Sequence, residues 1–288
     1  MRIAEGFGRA RPVVSFEFFP PKTESGFRAL YRTIGELKRL DPGFVSVTWG
    51  AGGSTRRQTV ELVARIQREI GITAMAHLTC VGSSPEELGE ILDRLAAAGI
   101  ENLLALGGDP PRDNPDYRPA PGGFTHACEL VAFARTRWNF CVGGACYPET
   151  HPRAASAEAD LAHLAAKVGA GVDFLITQLF FDNADYFGFV ARARAAGITI
   201  PIVPGIMPVV SRQNIVRITA LSGARVPPEL ARELERAGDD PSRTLELGVA
   251  WATTQCRELL EGGAPGLHFY TLNQSPATRR IHASLFGA

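Results

Sequence analysis

Residues 13–23 read VVSFEFFPPKT. Valine and phenylalanine favour a strand, and Pro20-Pro21 stops it. Glu17 therefore falls near the carboxyl end of a first strand, with Phe16, Phe18, Phe19 and Pro20 within three residues. An apolar setting disfavours the ionised carboxylate and raises its pKa, which suits a general acid working near neutral pH. The alternative is a carboxylate turned to solvent from an edge strand. By itself the stretch supplies a candidate site and no more.

Working outward, residues 24–40 carry Phe27, Leu30, Ile34 and Leu37 at helical spacing. Strand and helix patterns then alternate along the chain. Strands are expected at 44–47, 72–78, 102–106, 141–146, 173–179, 200–205 and 267–271. Helices are expected at 54–70, 85–98, 124–138, 156–168, 184–196, 211–222 and from 240 to about 260. A further helix at 227–237 reads as an insertion, and 112–123 as a long functional loop. Eight strands alternating with helices predict an α/β fold, a (β/α)8 TIM barrel, as one catalytic domain over 1–288. A doubly wound sheet is disfavoured because no Gly-x-Gly-x-x-Gly turn follows the first strand. In such barrels the loops after the strands build the active site. Glu17, Thr48, His77, Asp109, Tyr147, His151 and Gln178 all fall at strand carboxyl ends or just after them.

Composition narrows the class. The chain has 288 residues, 45% hydrophobic and 21% charged, with thirty basic against thirty acidic side chains. That balance, without a basic block, gives no sign of a nucleic-acid partner. The five cysteines form no CxxC, so neither a disulfide framework nor a zinc site is suggested. Cys141 and Cys146, five apart on one strand, are expected on opposite faces as buried thiols. No His/Asp/Glu cluster has metal-ligand spacing, and no Gly-x-Ser-x-Gly elbow occurs. The amino terminus lacks a signal-peptide core and no run reaches membrane-spanning length. A cytoplasmic enzyme is expected, as a homo-oligomer or a monomer.

Each polar candidate has a structural alternative. His77 sits in an apolar strand end, where a hydrogen-bonded core histidine is as good a reading as a ligand contact. Asp109, between Gly107-Gly108 and Pro110-Pro111, could satisfy turn amides, although the glycines also permit close approach of a ligand. Gln178 could bond a neighbouring strand or present a donor and an acceptor to a planar heterocycle. The run Gly50-Ala51-Gly52-Gly53 lacks the Lys-Ser/Thr ending of a phosphate loop. Phe180-Phe181 and Phe269-Tyr270 read as packing.

Taken together, SFEFFPPKT (15–23), FVSVTWGAGG (44–53), AHLTC (76–80), GGDPP (107–111), YPETHP (147–152), ITQLFFD (176–182), PGIMPV (204–209) and HFYTLN (268–273) resemble the methylenetetrahydrofolate reductase family, in family order and over nearly the whole chain. The resemblance implies a (β/α)8 barrel that reduces 5,10-methylenetetrahydrofolate to 5-methyltetrahydrofolate, with NADH or NADPH as donor and commonly FAD as carrier. Glu17 matches the general acid, which protonates the folate nitrogen that leaves when the five-membered ring opens to an iminium. Asp109 matches an aspartate facing the pterin, and Gln178 the amide that holds it. Thr48 falls at a position touching the nicotinamide or flavin. Trp49, Ala51, His77, Gly108, Tyr147, His151, Asp160, His163 and Lys167 fall at flavin-lining positions. Asn214, beside Gln213, replaces a glutamine near substrate or nicotinamide, and Ile218 an aromatic residue. Gln274 stands where the family's Leu-Asn-Arg has its arginine.

Two departures concern the flavin. Gly107 replaces an arginine, and Ala166 falls where some members carry a second basic residue. Arginine is the usual bidentate partner of a pyrophosphate, so weak or absent FAD binding and direct hydride transfer are expected. Competing readings are a flavin-dependent proline or amine dehydrogenase on a similar barrel, and a folate-binding paralogue without catalysis.

Overall fold

Parallel hydrogen bonding orders the strands. In the computed structural model, which describes residues 1–49, 53–109 and 122–287, nine parallel segments form one sheet curled into a barrel, in the order β7-β6-β5-β4-β3-β2-β1-β9-β8. They are β1 (Val13–Phe18), β2 (Phe44–Val47), β3 (Ala74–Thr79), β4 (Asn102–Leu106), β5 (Cys141–Cys146), β6 (Phe174–Thr177), β7 (Ile202–Val203), β8 (Gly205–Ile206) and β9 (Gly266–Tyr270). The helices between them are α1 (Glu24–Lys38), α2 (Gly53–Arg65), α3 (Pro85–Ala97), α4 (Ala127–Arg137), α5 (Ala157–Gly169), α6 (Asn183–Ala195), α7 (Arg212–Ser222), α8 (Pro228–Ala237), α9 (Pro241–Glu261) and α10 (Pro276–Phe286). This is the expected (β/α)8 barrel, with one correction. The strand expected at 200–205 is broken at Pro204, so that β7 pairs with β6 while β8 pairs with β9. Proline has no N–H to give the ladder, but its carbonyl accepts from His268 N at 3.0 Å. The helix before β3 ends where expected, in a π-helical turn, Ile66–Ile70, closed by the left-handed Gly71, while β3 itself starts two residues later than expected, at Ala74.

Alternation on each strand separates two apolar layers. Val14, Phe16, Phe18, Val45, Val47, Ala76 and Leu78 face outward into the main core beneath the helices. Phe44, Met75, Leu104, Cys141, Phe174, Ile176 and Val203 fill the inside together with Ile3. Ile3 belongs to a short 3-10 turn, Ile3–Gly6, and its N–H donates to Asn102 Oδ1 at 2.8 Å. Phe7 packs on Phe174 at 5.5 Å between ring centroids. The amino-terminal turn therefore plugs the end of the barrel where β4 and β5 begin. Full burial of each such side chain is worth about 1.5–3 kcal/mol. Cys141 lies in the inner layer and Cys146 in the outer one, as alternation demands. No described helix is long and apolar enough to cross a membrane.

The opposite rim is held by Asn273. Leu272 and Asn273 both adopt left-handed backbone, φ 51° and 59°. The Asn273 amide accepts from Phe19 N at 3.0 Å and donates to Phe19 O at 2.9 Å. Thr271 Oγ1 donates to the Glu17 carbonyl at 2.6 Å. These bonds tie the end of β9 to the end of β1. Replacing Asn273 with Ala removes both amide bonds and places a Cβ residue without a compensating side-chain bond at positive φ. The expected loss is about 2 kcal/mol, read as a lower urea midpoint at unchanged m-value.

Candidate active site

Because Phe16 and Phe18 point outward, Ser15 and Glu17 point inward. Parallel register sets Glu17 between Ser46 on β2 and Tyr270 on β9. The same alternation turns His77 on β3 and His268 on β9 into the barrel. Glu17 Oε2 lies 3.5 Å from His77 Nε2 and 3.6 Å from His268 Nε2, and the carboxylate is 19% exposed. Both imidazole Nε2 atoms and Ser46 Oγ are buried without a hydrogen-bond partner. Orphaned polar atoms are uncommon in a folded interior, and these three cluster around the carboxylate. The expectation that phenylalanines desolvate Glu17 is corrected: Phe16 and Phe18 lie on the other side of the strand, and the inward neighbours are imidazoles and a phenol.

Burial pushes the His77 pKa down to about 4. The Glu17 carboxylate opposes that shift and His268 adds to it. His77 is therefore neutral at pH 7. The Tyr270 hydroxyl, raised well above its ordinary pKa first by burial and then by Glu17, stays protonated and donates to Thr177 O at 2.6 Å. Its ring passes over Gly205, where a Cβ would stand 2.3 Å from Thr177 O and 2.6 Å from Tyr270 Cε2. The break in the seventh strand thus needs glycine beside Pro204.

Gln178 follows β6 and is half-buried. Its Oε1 accepts from Leu179 N at 2.9 Å. On the next rim segment Gly108 has φ +86°, and a Cβ there would come within 2.9 Å of Thr79 Cβ. Asp109 beyond it is exposed and meets Arg153 at 3.3 Å. The same guanidinium donates to Gly108 O at 3.3 Å. Tyr147 and His151 pack edge to face at 4.5 Å. Burial, then Asp109 and Asp160, raises Tyr147 to about 12. His151 is lowered by burial and then by Arg153. Its Nδ1 accepts from Arg153 N at 3.0 Å, and its own N–H donates to Asp160 Oδ2 at 2.9 Å.

The other expected contacts are scattered. Thr48 is half-buried at the end of β2, and its carbonyl accepts from Thr59 at 3.0 Å. Trp49 packs against the core beneath the helices, with its indole N–H buried and unpartnered. Ala51 lies outside the described residues. His163 is exposed on α5 and stacks on His126 at 5.7 Å. The Lys167 ammonium is buried, its pKa lowered by that burial, and donates to Ala145 O. Asn214 sits in the first turn of α7, whose Ser211 caps its N–H at 3.1 Å. Gln274 is exposed, and its N–H closes a turn on Thr271 O at 2.9 Å. The structure therefore brings Glu17 and His77 together, and separately Gly108, Asp109, Tyr147, His151 and Asp160. Lys167 lies near that second group, interacting electrostatically with His151 and Asp160.

His268, Tyr270, Ser15 and Arg153 were missed as site residues. Outward Leu267 and Phe269 could have flagged the first two through alternation. Nothing local marks Arg153. Among the described residues at positions where the resemblance puts a dinucleotide flavin, Lys167 donates to the Ala145 carbonyl, Gly107 and Ala166 offer no cation, and Arg153 already meets Asp109, so these residues fit a pyrophosphate poorly. Among the described residues no cluster of three metal-ligating side chains occurs.

The neutral His77 has a consequence for stability. Its folded pKa lies below the ordinary 6.5, so the unfolded chain binds the proton more tightly. Its contribution is complete above pH 6.5 and declines as pH falls toward about 4, by up to about 1.4 kcal/mol per pH unit. Urea unfolding of the parent and His77→Gln across that window should show the shallower slope in the variant.

Comparison with known proteins follows the same lines. The family profile described as methylenetetrahydrofolate reductase matches residues 2–285. The chain is 38% identical over 295 residues to "Methylenetetrahydrofolate reductase (NADH) 1" of Zea mays, covering 99% of this chain and 50% of that protein. It is 40% identical over 270 residues to "Methylenetetrahydrofolate reductase 1" of Schizosaccharomyces pombe, covering 93% and 45%. The chain thus spans about half the length of these curated relatives. Against "5,10-methylenetetrahydrofolate reductase" of Pectobacterium carotovorum it is 37% identical over 281 residues, covering 97% and 91%. A similar fold, with TM-score 0.63 at 16% identity over 96% of this chain and 94% of the other, is an uncharacterized Clostridium thermocellum protein that binds two copies of 5-methyl-5,6,7,8-tetrahydrofolic acid. With its barrel, its ordered motifs and its whole-length similarity, the chain belongs to the methylenetetrahydrofolate reductase family.

Proposed function

We propose that this protein reduces 5,10-methylenetetrahydrofolate to 5-methyltetrahydrofolate, with NADH as hydride donor and Glu17 as general acid. The observation that carries the reading is the Glu17 carboxylate at the open rim of the barrel, flanked by two buried imidazoles, in a chain of this family. NADH is preferred to NADPH because similar proteins carry NADH in their names.

The chemistry follows from charge. Breaking the methylene–nitrogen bond of the imidazolidine ring leaves electrons on the departing nitrogen, which takes the Glu17 proton. The methylene carbon becomes an iminium with the other nitrogen, and hydride reduces it to the methyl group. Solvent returns a proton to Glu17, so one NADH and one proton are consumed per turnover. Asp109 faces the developing cation from the rim, and the Gln178 NH2 donates to an acceptor on the pterin. Direct transfer requires the nicotinamide within roughly 3–3.5 Å of the methylene carbon. The buried Lys167 and the absence of side-chain cations at Gly107 and Ala166 favour this direct route over a flavin carrier.

Glu17→Gln keeps shape and removes the proton. Its kcat for folate-dependent NADH oxidation is expected to fall roughly 10²–10⁴-fold, with folate still bound by calorimetry. Parent-like turnover would sink the general-acid assignment, and a parent without turnover would leave a folate-binding protein. After incubation with FAD and gel filtration, the visible spectrum is expected to show substoichiometric flavin. One flavin per chain would restore the two-step route.

A further inference from the structure

The loop after β5 is held under strain. Thr150 has φ 129°, a positive value that a β-branched residue rarely adopts and that costs free energy. Such a backbone persists only where its surroundings over-determine it. On its carboxyl side, His151 N donates to Asp160 Oδ2 at 2.9 Å and His151 O accepts from Ala154 N at 2.8 Å. On its amino side, Pro148 O accepts from Arg192 of α6 at 3.3 Å. Glu149 is taken by Arg225, in the turn between α7 and α8. Arg225 N donates to both carboxylate oxygens, at 3.1 and 3.0 Å, and Arg225 Nε donates to Oε2 at 3.0 Å. The other arm of the guanidinium donates to Asp185 Oδ1, in the first turn of α6, at 2.6 Å. The Glu149 side chain is only 14% exposed, so water competes poorly for these bonds. The turn also lies against the loop. At Gly223, φ +77°, a Cβ would come within 2.8 Å of Pro152 Cγ.

Tyr147 precedes the strained residue and His151 follows it, and their rings meet edge to face. β5 lies four places from β1 in the sheet order. In a barrel of eight positions this pair therefore stands on the far side of the mouth from Glu17. With folate held against Glu17 for protonation, that far side is left to the hydride donor. We propose that Arg225 is a positioning residue for the hydride donor: through Glu149 it holds the strained Thr150 turn and so places Tyr147 and His151 where the donor packs. The inference rests on the reading of this protein as an NADH-dependent reductase. None of these bonds reaches Glu17, and the clamp acts through conformational population. Once it is broken, the loop relaxes to unstrained backbones. The donor then binds only the fraction that keeps the turn, and its apparent affinity falls by that fraction. Saturating donor restores the turn, so the chemistry at Glu17 keeps its rate.

The test is steady-state kinetics with NADH and methylenetetrahydrofolate varied separately, beside NADH binding by fluorescence titration. Glu149→Ala removes all three bonds from Arg225. It is expected to raise KM and Kd for NADH about tenfold, with kcat and the folate KM within about twofold. Arg225→Ala leaves the backbone donor in place and should raise them about threefold. Charge alone predicts otherwise: losing the Glu149 carboxylate would tighten binding of an anionic dinucleotide. Thr150→Gly supplies the rescue. Glycine adopts φ 129° without strain, so in Glu149→Ala/Thr150→Gly the turn no longer needs the clamp. The NADH KM of that double variant should return to within about twofold of the parent. A parent-like NADH KM in Glu149→Ala, a kcat or folate KM that shifts with it, or a double variant no better than Glu149→Ala overturns the proposal. Should Glu149→Ala not fold, Arg225→Ala, at an exposed position, and its double with Thr150→Gly decide by the same criteria. If the parent binds NADH but reduces no folate, the reductase reading fails and the Kd series alone decides the clamp. If the variants bind and turn over NADH like an active parent, only the present inference fails. A parent that binds no NADH overturns both.

Discussion

Everything at the site depends on the two-residue alternation of parallel strands bonded into a closed ring. Each strand sends every second side chain inward, and the enclosed space has to be filled. At the amino ends of the strands Phe44, Met75, Leu104 and Phe174 fill it, with Ile3 as a plug. One step further along, the same inward positions carry Ser15, Glu17, Ser46, His77, His268 and Tyr270. The polar layer therefore stands on an apolar floor, at the rim where the chain reverses into its helices.

That stacking explains why the polar groups are neutral or incompletely bonded. Water is displaced from below by the apolar floor and from outside by the packed helices, so an imidazolium is disfavoured at His77. A neutral imidazole makes a different neighbour for Glu17 than a cation would. A cation would hold the carboxyl ionised, which is the wrong state for an acid. The backbone clamps, Asn273 on Phe19 and Thr271 on the Glu17 carbonyl, fix where that carboxyl projects without touching its charge.

The second polar group, around Asp109, Tyr147 and His151, is built differently. It sits on loops, is more exposed, and is cross-linked by Arg153 through backbone and side-chain bonds. Among the described residues, Asp109 and Arg153 pair on this rim, so their charges largely cancel there. The strand-borne group supplies chemistry, and the loop-borne group shapes the approach to it.

The sequence by itself determined the barrel, the inward or outward sense of most strand residues, and Glu17 as the candidate acid. These follow from local pattern: alternation, glycine and proline punctuation, capping residues, and motifs in order. It missed His268, because a histidine 251 residues after Glu17 becomes its neighbour only when β9 closes against β1. It also gave the wrong reason for the Glu17 environment, since Phe16 and Phe18 adjoin it in sequence but lie across the sheet. Whether Lys167 presents its ammonium to the rim or buries it against Ala145 O, and which atom of His268 faces Glu17, depend on packing between elements far apart in the chain. Only the tertiary structure decided those points, because burial and hydrogen-bond partners are properties of the assembled interior and no local pattern encodes them.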